Sequence, residues 1–278
     1  MKNKCILKCV LFPLVAFNSL AIMAQTTQQA AKPEKKFLQP ERVRYDGSCM
    51  TIEGKDIFIY SAAFHYFRCP EELWRDRFRQ IKEAGFNTVE TYVPWNWNER
   101  IMPSGLNDNS HFDFSDVKRW LKMAQEEFGL YTIVRPGPFI CAEYSGGGYP
   151  RWLAKFCPGG MDDFWLRSAD HRHISWSQHW FDAVCKALAD EQITRKPVGE
   201  KGIILIQIEN EYNHHGCYGK EKLLKALYQS VRKSGMDIPI FTCLTNECRS
   251  SEDVELSQVF DSDNYYVGLS SAPDLSLI

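Results

Sequence analysis

The segment Gly202–Asn213, GIILIQIENEYN, runs from an apolar stretch directly into Glu209, Asn210 and Glu211. Three polar groups at the end of a buried strand are costly unless they are used. An Asn–Glu pair suits glycoside cleavage, which needs a carboxylic acid to protonate the leaving oxygen and a neighbouring donor to hold a sugar hydroxyl. An ion-pair or helix-capping cluster would use the same residue types. Strict alternation puts Glu209 and Glu211 on one side and Asn210 on the other, unless the strand end bulges. Arg135 closes a second apolar run and reads either as a charge orienting a carboxylate or as half of a buried ion pair. Trp95 and Glu99 follow a third run, where a lining role and a structural one fit equally.

These residues need strands to carry them. Apolar runs at Thr88–Val93, Tyr131–Arg135, Gly202–Ile208, Ile238–Leu244 and Val259–Asp263 read as buried strands. Helical spacing separates most of them, over Pro70–Ala84, Asp116–Phe128, about Trp176–Glu191 and Lys220–Ser234, with glycine stops at Gly85, Gly129 and Gly235. Before them, Asp46-Gly47 and Glu53–Lys55 read as turns of an N-terminal β-hairpin leading into the run IFIYSAAF. Alternating β and α units predict a parallel sheet. No GxGxxG follows the first strand, and the polar residues gather after the C-terminal ends of several strands. That distribution predicts a (β/α)8 TIM barrel with its site on the C-terminal face. Such a barrel runs about 250 residues, but only 223 lie from Asp56 to the end of the chain and only about six strands can be counted. The expectation is a barrel truncated after about six strands.

The 278 residues carry a formal net charge of −2, with 44% hydrophobic and 24% charged residues. This balance gives no electrostatic footprint for nucleic acid and points to an uncharged partner. Eight Trp and 12 Tyr suit either sugar-stacking platforms or a barrel core. Residues 1–24 read as a signal peptide, too short to span a membrane, and 25–42 as a linker before the incomplete barrel domain of 43–278. Export, to periplasm or exterior, removes three lysines and no acid, leaving −5. Eight cysteines then remain, at irregular spacing and without a CxxC pair, and read mostly as small buried hydrophobes. The His pairs 171/173 and 214/215 lack zinc-site spacing, so no metal is expected. Nothing in the sequence sets an oligomeric state.

Four ordered motifs, SAAFHYFRCPEELW (61–74), ETYVPWNWNE (90–99), VRPGPFICAEYSGGGYPRWL (134–153) and IQIENEY (206–212), together resemble glycoside hydrolase family 35, the retaining β-galactosidases. The resemblance implies an exo-acting hydrolase that removes terminal β-galactose from glycans without a cofactor. It implies Glu211 as general acid/base and Asn210 as ligand of the sugar 2-hydroxyl. Tyr92 matches a galactose-binding tyrosine. Ile140, Cys141, Ala142 and Glu143 match the stretch whose backbone and carboxylate grip the galactose hydroxyls. The family's nucleophile lies after the seventh strand, so it is expected beyond this C-terminus. Another exo-β-glycosidase of the same clan, or an inactive remnant that at most binds galactosides, is the alternative.

Overall fold

The computed structural model describes residues 34–156, 165–212, 219–243, 248 and 251–264. The signal-peptide expectation lies outside them. Within the expected linker, residues 34–42 are tied to the domain: Lys35 Nζ donates to Ser257 O (2.5 Å) and Val259 O (3.0 Å), Gln39 to Asp237 (2.6 Å), and Arg42 pairs with Glu53 (3.1 Å).

The N-terminal hairpin is in fact a three-stranded antiparallel sheet, β1 (Val43–Tyr45), β2 (Met50–Ile52) and β3 (Lys55–Ile57). The run IFIYSAAF is not one buried strand. It splits after Ile57, leaves Phe58 81% exposed, and resumes as β4 (Ser61–Ala63). Apolar character alone cannot distinguish a continuous strand from two strands joined by a crossing between sheets.

The second sheet is parallel, in the order β4, β5 (Thr88–Tyr92), β6 (Tyr131–Arg135), β7 (Ile203–Gln207), β8 (Ile240–Cys243) and β9 (Phe260–Ser262). Between successive strands run α1 (Trp74–Glu83), then the short α2 (Trp95–Asn98) and α3 (Ser115–Lys122), then α4 (His171–Leu188) and α5 (Lys220–Lys233). Asp170 caps α4 by accepting from the Arg172 amide (2.8 Å). The sequential order and helical crossovers are those of a partial (β/α) barrel; among the described residues the sheet stays open, with β4 and β9 as edges. All five β7 residues are buried, as a strand covered on both faces requires.

Most of the aromatic content fills this core. Seven of the eight tryptophans are buried, and Trp95 stacks on Trp180 at 5.9 Å. The indole Nε1 of Trp95 donates to Glu99 Oε2 (2.7 Å), while His179 Nε2 lies 2.9 Å from Oε1. Trp95 and Glu99 are both fully buried, so of their two readings the structural one fits.

Candidate active site

Strand β7 delivers its polar end to the C-terminal face of the sheet, and there the alternation of side chains breaks. Glu209 and Glu211 adopt left-handed backbone, with φ of 54° and 50°. Such conformations cost of order 1 kcal/mol each and persist where surrounding structure imposes them. Of seven non-glycine residues with positive φ among the described residues, six are Cys141, Ala142, Glu143, Arg167, Glu209 and Glu211. The strain is thus concentrated on two segments, the end of β7 and the long loop after β6.

Arg135, at the end of β6, organises one side. Its Nη1 pairs with Glu90 (3.0 Å), its Nε donates to Gln207 Oε1, its Nη2 donates to Asn210 Oδ1 (2.9 Å), and its guanidinium lies 4.2 Å from the centre of the Tyr92 ring. Gln207 also donates to Asn210 Oδ1 (3.3 Å). With that oxygen occupied twice, the amide orientation is fixed and its NH2 is left to donate. Burial pushes the Tyr92 hydroxyl up to about 12, against the pull of Arg135. His65, whose ring accepts from the Tyr92 amide (3.4 Å), is lowered to about 4 by burial, then by Arg68 and Arg135.

Arg167 organises the other side. Its Nη2 reaches Glu209 Oε2 (3.0 Å), Asn210 O (2.8 Å) and Glu211 O (3.1 Å), and its guanidinium lies 3.7 Å from the centre of the Phe139 ring. Glu209 is fully buried, its carboxyl raised by burial and lowered less by Arg167 and the Asn210 and Phe139 amides. The Glu209 amide also donates to Gly137 O (2.7 Å), locking β7 to the loop after β6. His173 supports Arg167: its Nδ1 faces Ser168 O (2.9 Å), so Nε2 is the acceptor for the Tyr149 hydroxyl (2.8 Å) and the Arg167 amide (3.4 Å).

Glu211 meets the end of the last described strand, where the Asn264 side chain donates to its Oε1. Its amide also bonds to Cys243, whose thiol is raised chiefly by burial.

The 140–143 stretch forms a tight arc. Ile140 is fully buried and Ala142 nearly so, whereas Glu143 is exposed and makes no ion pair among the described residues. The carbonyls point inward, Cys141 O accepting from Tyr144 N (2.9 Å) and Ala142 O from Arg68. The amides of 141, 142 and 143 donate to no group among the described residues. Gly147 and Gly148 are required beneath: a Cβ on Gly147 would lie 2.0 Å from the Phe139 ring, and one on Gly148 2.9 Å from Ile140.

The structure therefore brings Asn210 and Tyr92 together on Arg135, holds Glu211 through Arg167, Cys243 and Asn264, and puts the arc 140–143 on the loop after β6. Sequence reasoning did not assign Arg167, His65 or Asn264 to the site. The signal available for Asn264 was its place in a polar cluster, DSDN, just after an apolar strand. Among the described residues no group of three His, Cys, Asp or Glu could hold a metal ion. Cys49, Cys69, Cys141 and Cys185 form no disulfide among the described residues.

Comparison with known proteins gives a consistent family. The chain is 35% identical over 190 residues to beta-galactosidase-1-like protein 3 of Homo sapiens, covering 67% of this chain and 26% of that protein. It is 36% identical over 235 residues to a beta-galactosidase of Xanthomonas manihotis, covering 83% and 35%. An exo-beta-D-glucosaminidase of Pyrococcus horikoshii is 40% identical over 124 residues, covering 42% and 15%. The chain thus spans about a third or less of the length of these relatives. The profile of glycosyl hydrolases family 35 matches residues 49–274. With the motifs and the parallel sheet, that match over most of its length places the chain in family 35 of the glycosyl hydrolases.

Proposed function

We propose that this domain binds the terminal β-galactose of a glycan and protonates the glycosidic oxygen, as part of a retaining exo-β-galactosidase. The observation that carries the reading is the fixed amide of Asn210, whose Oδ1 is held by Arg135 and Gln207 and whose NH2 is left for a sugar hydroxyl beside the Glu211 carboxyl. Glu211 would donate its proton to the leaving oxygen and take it back from water. The free amides of the 141–143 arc would serve further hydroxyls. Support for galactose comes from the names of the human and Xanthomonas relatives.

A retaining reaction needs a second carboxyl about 5–5.5 Å from the acid. Glu90 and Glu209 are paired with Arg135 and Arg167. We assign that role to none of the described residues. Export follows from the charged and apolar pattern of residues 1–24.

The glucosaminidase relative suggests a second reading, a 2-amino sugar at the same site. A 2-ammonium group can only donate, and Asn210 in this orientation offers only donors, which favours a 2-hydroxyl. Two measurements test the assignment: hydrolysis of aryl β-galactoside, β-glucoside and β-glucosaminide, and binding of the matching imino sugars. Tightest binding of the galacto form, weakened by Asn210→Ala, is expected. Tighter gluco or glucosamine binding would overturn it.

A further inference from the structure

Beside the arc, on the same C-terminal face, the loops after β5 and β6 enclose a cavity of about 530 Å³ whose lining includes Asn96, Arg100, Tyr144, Arg151, Trp152 and Lys155. Three of these six side chains are cations, and none of the three forms an ion pair among the described residues. Arg100 is anchored without being neutralised: its Nε donates to Trp97 O (3.1 Å) and its guanidinium lies 4.5 Å from the Trp97 ring centre. The acid that also lines the cavity, Glu99, has both carboxyl oxygens engaged internally by Trp95 and His179. Asn96 adds a buried Oδ1 with no hydrogen-bond partner. Tyr144 is half-buried, its hydroxyl raised by burial and drawn down by Arg100 and Arg68, which places positive charge around it. Tyr144 directly follows the 141–143 arc, so the cavity adjoins the place assigned to galactose.

A cavity with three uncompensated cations and an aromatic ring, next to a sugar site, has the chemistry to hold an acidic sugar. We propose that it is a subsite for the residue bearing the galactose, and that it selects a residue carrying an anionic group, a sulfate ester or a carboxylate. Arg100, Arg151 and Lys155 would hold the anion. This rests on the galactoside reading above.

The test is titration calorimetry on the whole chain with three disaccharides: N-acetyllactosamine, the same sugar sulfated on O6 of its N-acetylglucosamine, and galactosyl-β-glucuronic acid. Free N-acetylglucosamine 6-sulfate is a fourth probe. At low salt the anionic disaccharides should bind about tenfold tighter than the neutral one. That advantage should vanish in Arg151→Ala/Lys155→Ala and at about 0.3 M salt, where the neutral and anionic disaccharides should bind alike. If one anion alone gains, it identifies the acid. Equal binding of all three, or an advantage that the double variant retains, overturns the subsite while leaving the galactoside reading standing. Binding of the free sulfated sugar that depends on Arg151 and Lys155, without binding of any galactoside, would uphold the subsite and overturn the galactoside reading. No binding of any probe overturns both.

Discussion

Arg135 and Asn210 meet across adjacent strands through a 2.9 Å hydrogen bond from guanidinium Nη2 to amide Oδ1. Arg135 ends β6 and Asn210 lies three residues past β7, so the pairing of those strands sets the orientation of the amide. Arg135→Met should let the amide turn and present its oxygen instead. A lost charged hydrogen bond of about 1.5–3 kcal/mol predicts a fall of about 10- to 100-fold in kcat/KM for an aryl β-galactoside. A fall under threefold would show that Gln207 holds the orientation of Asn210 without Arg135.

Removing the proton donor should depend on the leaving group. In Glu211→Gln, hydrolysis of a disaccharide should drop by about 10²–10⁴, whereas a dinitrophenyl galactoside, whose leaving group needs no proton, should lose far less. Steady-state kinetics on both substrates, with the longest chain that shows turnover, separates an acid from a mere binding residue. Equal losses would remove Glu211 from the acid role.

Acid should weaken the fold through His173. Burial lowers its imidazole to about 4 from an ordinary value of 6.5, so between those values the unfolded chain binds the extra proton and the folded chain does not. Stability from this group is therefore complete above about pH 6.5 and is lost as pH falls toward 4. The two values bound the loss at roughly 3 kcal/mol. Denaturant melts at several pH values should show this slope, and His173→Gln should flatten it; an unchanged slope would assign the acid loss to other groups.

Two neighbouring glycines should respond differently to a methyl group. Gly146 and Gly147 both have positive φ, 65° and 62°, but a Cβ on Gly146 meets nothing within 4 Å whereas one on Gly147 enters the Phe139 ring. Gly146→Ala should cost about 1 kcal/mol, and Gly147→Ala about 1–3 kcal/mol more. Because Arg167 lies on Phe139, galactoside binding should weaken in the second variant alone. Similar melts for both would show that the Phe139 ring can move aside.

The elements that bury a periodic apolar pattern were legible in the sequence. Strand β6 has the bounds that its apolar run predicts, and β7 presents Asn210 and Glu211 where the apolar run stops. The departures are backbone events with no signature in residue type. Left-handed φ at Glu209 and Glu211 breaks the alternation that period-two reasoning needs, and it turns Glu209 into the partner of Arg167 on a loop more than forty residues earlier in the chain. Arg167 has no periodic neighbours to mark it. Phe58 and Tyr60 read as strand from their side chains, yet the crossing between the two sheets leaves both exposed.

In the proposed function, the run of left-handed residues at Cys141, Ala142 and Glu143 would move recognition from side chains to the main chain. Its polar donors belong to peptide groups that every residue except proline carries. Exchanging the thiol or the methyl would reshape the wall around a ligand yet leave those donors in place. Vulnerability instead passes to the scaffold that enforces the curvature: the Arg68 guanidinium on Ala142 O and the glycines packed beneath Phe139 and Ile140. For this loop, a mutational scan ranked by loss of ligand affinity should put the silent-looking supports above the residues that line the cleft.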